Sequence, residues 1–93
     1  MIVGICEVEL HIWNSLSLKD KRKVMNRIKD KIRNSFNVAV AEIGDDNVWQ
    51  RARLGIACVG GEQKWVERIV NGVRELLQRE PDVEVINFWI EWR

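Results

Sequence analysis

The spacing of apolar residues in this chain changes between two periods, and the order of those periods restricts the fold to a few topologies. A period of two is typical of a strand with one buried face, and a period near 3.6 is typical of an amphipathic helix. In the first segment, for example, every second residue from Ile2 to Ile12 is apolar or small. The predicted elements, in chain order, are a strand at 2–13, a helix at 17–35, strands at 36–43 and 49–59, a helix at 62–78 and a strand at 83–92.

This order predicts an α+β domain of the ferredoxin-like, split βαβ (βαββαβ) type over residues 1–93. Because both strand–helix–strand crossovers are right-handed, we expect the two helices on one face of a four-stranded antiparallel sheet, in strand order 4-1-3-2. Glu7 and Glu9 of the first strand would then lie near Arg51 and Arg53 of the third, and neighbouring strands favour such opposite charges.

The sequence also excludes several classes of protein. It has no apolar run of the roughly 20 residues that a membrane helix needs, and its first residues lack the basic region of a secretory signal, so we expect a cytoplasmic protein. Cys6 and Cys58 belong to no CxxC or Cys/His cluster, so we expect reduced thiols in strands and neither a metal nor a cofactor.

Enzymatic signals are weak. His11 is the only histidine, and no nucleophile is placed beside it. Asp45 and Asp46 lie in a predicted turn at 44–47 without the further carboxylates that a metal ion needs. Acylphosphatases share this topology but hold phosphate with Gly and Arg after the first strand, and residues 13–16 contain neither. Since P-loop and GxGxxG motifs are also missing, we expect a protein without enzymatic activity.

The net charge of +1 conceals an uneven distribution of charge along the chain. From Lys19 to Arg33 there are eight basic and two acidic residues, a net charge of +6, whereas the remainder has seven basic and twelve acidic residues, a net charge of −5. Such a dipole can steer an anionic partner over a Debye length, about 10 Å at moderate salt.

The basic residues of the first helix follow a stripe beside its apolar stripe, at intervals that suit the phosphates of RNA. The predicted nucleic-acid-binding residues are Lys19, Lys21, Arg22, Lys23, Lys29 and Arg33. The alternative is a solvated helix face that happens to be basic. Lys21 lies near the centre of the apolar stripe, so its side chain either extends past the edge of the core or points at a ligand.

The sheet face opposite the helices is predicted to carry small and apolar residues among charged ones. Such a face suggests packing against another chain, as when two sheets stack about 10 Å apart in a two-fold homodimer. A partly apolar face left in water is the alternative. The predicted interface residues are Val3, Ile5, Ala39, Ala41, Arg51, Arg53 and Trp89.

Tryptophan is frequent, with five residues in the chain. Trp13, Trp89 and Trp92 are predicted to cluster near the ends of the first and fourth strands, either as a stacking platform for a base or as a hydrophobic seam. Trp49, at the start of the third strand, is interpreted either as a gate beside the sheet or as a packing anchor.

Three segments resemble a known bacterial family. They are SLKDKR at 17–22, FNVAVAE at 36–42 and WQRARLGIA at 49–57, and with their spacing they resemble the YlxP-like family of unknown function. The resemblance implies the same fold over nearly the whole chain, and it implies no catalytic residue. Genes of that family often lie near those for transcription termination and translation initiation factors, which implies a context in translation or ribosome assembly.

These observations lead to the hypothesis of a non-enzymatic accessory protein that associates with RNA or the ribosome through its first helix. A homodimeric protein-interaction module and a small-molecule regulatory domain are the alternatives. Neither DNA nor a membrane is expected as a partner.

Overall fold

The computed structural model describes residues 1–44 and 48–93, so most of the turn predicted at 44–47, including Asp45 and Asp46, lies outside the described residues. The elements are β1 (Ile2–Ile12), α1 (Leu18–Ser35), β2 (Ala39–Glu42), β3 (Arg51–Gly60), α2 (Gln63–Arg79) and β4 (Val83–Trp92). The four strands form an antiparallel sheet in the order β2-β3-β1-β4. The predicted fold class and strand order are therefore confirmed.

β1 lies in the centre of the sheet and carries much of the core. Val8, Leu10 and Ile12 have no exposed surface, and they pack in one cluster with apolar residues of both helices. The residues between them point to the other side of the sheet. We call that side the open face. It carries Val3, Ile5, Glu7, Glu9 and His11 of β1, together with their partners on the neighbouring strands.

Helix α1 begins after Ser17, whose hydroxyl oxygen accepts a hydrogen bond from the Asp20 backbone N–H at 3.1 Å. The Asp20 carboxylate accepts in turn from the Leu16 N–H at 3.1 Å. The predicted capping arrangement is thus present, although the aspartate bonds the residue before the cap instead of the cap itself. Together the two bonds set the direction in which the chain enters α1.

β2 is shorter than predicted, because residues 36–38 precede the strand. Phe36 ends α1 by donating its N–H to the Ile32 carbonyl at 2.9 Å, and the Val38 N–H bonds back to the Phe36 carbonyl at 3.0 Å. The Phe36 ring lies against Gly72 of α2, where an added Cβ would come within 2.6 Å of a ring carbon. Phe36 therefore has extended backbone but packs against the second helix.

Two glycines on adjacent strands allow α2 to lie close to the sheet. A Cβ at Gly4 would come within 2.8 Å of Val66 Cγ1, and a Cβ at Gly60 would come within 2.6 Å of the Trp65 ring. Because Val66 is fully buried, it has little room to move.

Within the described residues, neither helix is long and apolar enough to cross a membrane.

Candidate nucleic-acid interface

Lys21 does not join the exposed basic surface on which it was predicted. Only 7% of its surface is exposed, and its ammonium donates a hydrogen bond to the Val48 backbone carbonyl at 2.9 Å. That bond joins the start of α1 to the segment before β3. Lys21 is therefore a positioning residue for this segment, and it neither extends past the core edge nor points at an outside ligand.

Lys29 and Arg33 are held against the edge strand β2. The Lys29 ammonium lies 3.6 Å from the Glu42 carboxylate, and the Lys29 side chain is only 16% exposed. Arg33 donates to the Val40 carbonyl at 3.0 Å and also lies 3.5 Å from the Asp30 carboxylate. The second half of the predicted stripe thus attaches α1 to the sheet.

Two further basic residues, which the sequence did not single out, bind a buried carboxylate. Arg27 contacts Glu80 at 2.8 Å and Asp82 at 2.7 Å, and Lys31 contacts Glu80 at 2.6 Å. We call these four residues the Glu80 cluster. The Glu80 side chain, just after α2, is only 3% exposed. Burial acts to raise the pKa of Glu80, but the hydrogen bonds and charges of Lys31 and Arg27 outweigh burial and hold this pKa below its usual value.

The remaining cations of the predicted site lie together in the first two turns of α1. Lys19, Arg22 and Lys23 are exposed, and we call them the N-terminal basic surface. At 100° per residue they fall within an arc of about 100°. None of the three forms an ion pair with another described residue. A cation in the first turn, such as Lys19, opposes the helix dipole, so the energetics of α1 alone do not account for it.

Trp49 is exposed at the same end of the molecule. Its side chain is 48% exposed, so it is not a buried packing anchor. The segment that carries it is held on two sides, because the Gln50 amide donates to the Ser15 carbonyl at 3.4 Å and Lys21 bonds to Val48. These contacts hold the backbone on both sides of Trp49 next to the start of α1.

The predicted interface residues share the open face. Glu7 of β1 pairs with Gly55 of β3 and with Trp89 of β4, and Gly55 pairs with Ala41 of β2, so these four form one row across the sheet. By the same register the open face carries Val3, Ile5, Ala39, Ala41, Arg51, Arg53 and Trp89. Among the described residues, the members of the core cluster all lie on the other side of the sheet.

The predicted pairing of charges on this face is confirmed. Glu9 and Arg53 are direct partners in the β1–β3 register, and Arg51 lies 3.6 Å from the Glu9 carboxylate.

The prediction that three tryptophans cluster is wrong. Trp13 follows the end of β1, where its ring meets the His11 ring edge-on at 4.4 Å. Trp92 pairs with Gly4 near the start of β1, and Trp89 lies on the opposite face of β4 from Trp92. Because β1 and β4 are antiparallel, the end of one strand meets the start of the other, which separates Trp13 from the other two.

The thiols are poorly suited to nucleophilic chemistry. Cys6 and Cys58 are both buried and free. Burial, together with the nearby Cys58, raises the pKa of Cys6 to about 11, and burial raises the pKa of Cys58 as well. In the part of the chain that the structure describes, no three His, Cys, Asp or Glu side chains are grouped as metal ligands.

Comparison with known proteins agrees with the fold and with the family resemblance. The family described as "Protein of unknown function (DUF503)" matches residues 3–90. The chain belongs to this family. A DUF503 relative, "Uncharacterized protein YlxP" from Bacillus subtilis (strain 168), is 35% identical over 91 residues, covering 98% of this chain and 99% of the relative. The identification as a YlxP-like domain is confirmed.

Among solved structures, this DUF503 chain is similar to a de novo designed protein with a ferredoxin fold, LFR1. The TM-score is 0.58 at 14% identity, with coverage of 98% of this chain and 86% of the design. A second design, Ferredog-Diesel, has a TM-score of 0.47 at 9% identity and covers 96% and 83% of the two chains. The first likeness concerns the fold alone.

Proposed function

We propose that this chain binds RNA through the N-terminal basic surface (Lys19, Arg22 and Lys23), with Trp49 as an adjacent stacking surface for an unpaired base. It acts as a non-enzymatic accessory to RNA or to the ribosome. The observation that carries the proposal is the presence of three exposed cations in the first two turns of α1, without an acidic partner among the described residues.

The ion pairs of α1 separate its cations into two groups. Arg27, Lys29, Lys31 and Arg33 all contact acidic side chains. The first three contacts attach α1 to the sheet and to the α2–β4 turn, while the contact of Arg33 with Asp30 lies within α1. The cations of the N-terminal basic surface make no such contact with described residues. Lys19 lies in the first turn, where a cation opposes the helix dipole, so the attachment of α1 does not account for it. Phosphates supply the counter-charge that these positions lack.

RNA is favoured over a general anion because Trp49 lies at the same end. Proteins that bind single strands combine a basic path along the backbone with aromatic rings on which bases stack. The exposed Trp49 indole offers such a ring at the same end of the domain, in a segment held by the bond between Lys21 and Val48. Recognition of this kind tolerates many sequences.

Filter binding of ribosomal RNA to wild-type protein over a range of salt concentrations tests the basic surface. The double variant Lys19→Glu with Arg22→Glu is expected to weaken binding at least about tenfold at 0.1 M salt and to reduce the salt slope by about 1.5, since two phosphate contacts are lost.

The matched control is Lys64→Glu with Arg68→Glu, two exposed residues of α2 that change the net charge by the same amount. This control is expected to bind nearly as well as wild type. Equal weakening by both double variants would mean that only overall charge matters, and the proposed surface would be rejected.

A single-stranded RNA of about 20 nucleotides tests Trp49. Trp49→Ala is expected to weaken binding about fivefold or more, and Trp49→Phe to retain most of the affinity, because stacking on an aromatic ring contributes roughly 1–3 kcal/mol per base. Equal affinities for both variants would remove the stacking role and leave the phosphate contacts to be judged by the first experiment.

A further inference from the structure

The open face combines an exposed indole with an apolar depression. The depression has a volume of about 380 Å³, and the side chains around it include Ile5, Ala39, Ala41, Ile43, Gly55 and Ala57. Trp89, on β4, is 46% exposed. Large apolar side chains and hollows of this kind are enriched at the centres of protein–protein interfaces.

Gly55 keeps the depression open. It lies between Ala41 and Glu7 in the register, and a Cβ at this position would come within 3.0 Å of Ile43 Cγ2. Any larger residue at Gly55 would push against Ile43 and fill the floor. The hollow is thus a consequence of two small residues, Gly55 and Ala41, side by side in one row of the sheet, with the Ile43 side chain beside them.

Trp89 does not fill this depression in its own chain. Trp89, Glu7, Gly55 and Ala41 occupy one row, and strands are spaced about 4.8 Å apart, so Trp89 starts about 10 Å from Gly55 and about 14 Å from Ala41. Glu7 stands between the indole and the hollow. A Trp89 indole from a second molecule is not blocked in this way.

A second copy of the chain supplies that indole in the right place. The strand order is β2-β3-β1-β4. When two open faces stack, a two-fold axis can lie between them, parallel to the strands and midway between β3 and β1. This axis places β4 of one copy over β2 of the other. Trp89 then lies over the partner's Ala41, and the same contact occurs twice.

The same axis also matches charge with opposite charge. Because Glu9 and Arg53 are in register on the two central strands, the rotation brings Arg53 opposite the partner's Glu9. Ile5 and Ala57 are related in the same way, so Ile5 meets the partner's Ala57. The open face is therefore complementary to itself at Trp89, at Ile5 and at Glu9, whereas the same axis brings Glu7 opposite the partner's Gly55.

We propose that the chain forms a two-fold homodimer by stacking two open faces, with each Trp89 inserted into the partner's depression. With three long strands and the short β2, the sheet presents roughly 550 Å² of flat area per protomer, near the smaller end of stable interfaces, so we expect a dissociation constant in the micromolar range. Both helices lie on the far side of the sheet, so the dimer is independent of the proposed RNA contact.

Sedimentation equilibrium over about 1–200 µM protein tests the dimer, since this range brackets micromolar dissociation constants. The mass is expected to approach twice 10.9 kDa at the upper concentrations. Trp89→Glu is expected to raise the dissociation constant at least about thirtyfold, as for a central interface residue. The control is Trp65→Glu, which changes an equally exposed indole on α2 and should leave the dimer intact.

A mixing experiment separates contacts between chains from contacts within one chain. Arg53→Glu alone and Glu9→Arg alone each place like charges across the interface, so both variants are expected to be monomeric. An equimolar mixture restores opposite charges at both positions of a heterodimer, and its mass is expected to return to that of a dimer. Circular dichroism of each variant establishes that it is folded.

Three results would overturn the proposal. They are a monomer at 200 µM, a dimer that Trp89→Glu does not weaken, and a mixture of the two charge variants that stays monomeric although each is folded. The first result would mean that the open face is free in water or covered by a different protein, and the second would place the dimer contact elsewhere on the chain.

Discussion

The carboxylate of Glu80 connects parts of the chain that are far apart in sequence. Arg27 and Lys31 lie 53 and 49 positions before it, yet both contact its oxygens. The cost of burying an ionised carboxylate is offset only while these partners remain. Glu80 thereby attaches the middle of α1 to the turn between α2 and β4.

Removing the cations of the Glu80 cluster is expected to cost more than removing the acid. Arg27→Met with Lys31→Met leaves Glu80 buried without a partner, and we expect a loss of about 3 kcal/mol in the free energy of unfolding at pH 7. Glu80→Gln leaves two side chains that are already about half exposed, and we expect a loss of about 1 kcal/mol. Urea unfolding measures both. A larger loss for Glu80→Gln would contradict this account.

The contribution of Glu80 to stability is expected to depend on pH in opposite directions in the wild type and in the double methionine variant. In the wild type the pKa of Glu80 lies below its unfolded value, so its contribution is present above about pH 4.3 and is lost as the pH falls through the folded pKa. Without Arg27 and Lys31, burial raises this pKa. Stability of the double methionine variant relative to Glu80→Gln should then increase as the pH falls from 7 towards 4. Urea unfolding at pH 7, 5 and 3.5 measures it.

At the level of elements, the contact between α2 and the sheet depends on glycine. Gly4→Ala places a methyl group 2.8 Å from the buried Val66 Cγ1, and we expect a loss of about 1–3 kcal/mol in the free energy of unfolding. Adding Val66→Ala to Gly4→Ala should recover part of this loss. Gly61→Ala is the control, because its Cβ would meet no atom within 4 Å. Thermal unfolding followed by circular dichroism measures all three, and equal losses at both glycines would contradict close packing at Gly4.

The sequence predicts the elements well where one face of each is buried throughout. The alternation in β1 assigns both of its faces correctly, and the prediction of charged neighbours at Glu9 and Arg53 follows from the right strand order. The start of β2 was not predictable in this way, because Phe36 is extended like a strand residue but packs against Gly72. The shift of register between Glu9 and Leu10 in the β1–β4 pairing likewise has no local pattern in the sequence.

The candidate site was predictable only in its outline. Helical spacing locates the basic residues of α1, but it does not show which of them form ion pairs. Their partners Glu80 and Glu42 are far away in sequence and come close to α1 only in the folded domain. Lys21 was placed on the apolar stripe correctly, yet its bond to Val48 depends on where the chain before β3 passes.

At the level of the whole molecule, the uneven charge of the sequence is reduced by the fold. Four of the eight cations between residues 19 and 33 form ion pairs, and Lys21 is buried. The positive charge that remains is concentrated at the start of α1. An anionic partner is therefore steered to one end of the domain rather than along the whole helix.

The central position of β1 makes folding dependent on the last strand. β1 pairs with β3 and β4 on its two sides, and both lie far along the chain. A fragment of residues 1–82 lacks the core residues Val83, Val85 and Phe88, so we expect it to be unfolded by circular dichroism. Addition of a peptide of residues 83–93 should restore helical signal. A fragment that gives the full native spectrum alone would contradict this dependence.

The same topology has a consequence during protein synthesis. A nascent chain exposes the apolar face of β1 as soon as this strand leaves the ribosome, but β4 is made about 70 residues later, which is roughly 4–14 s at usual elongation rates. Throughout that interval an edge of β1 has no strand to pair with, and its valine, leucine and isoleucine side chains are available to chaperones or to other nascent chains. Cotranslational folding of this domain is therefore expected to be a single late event.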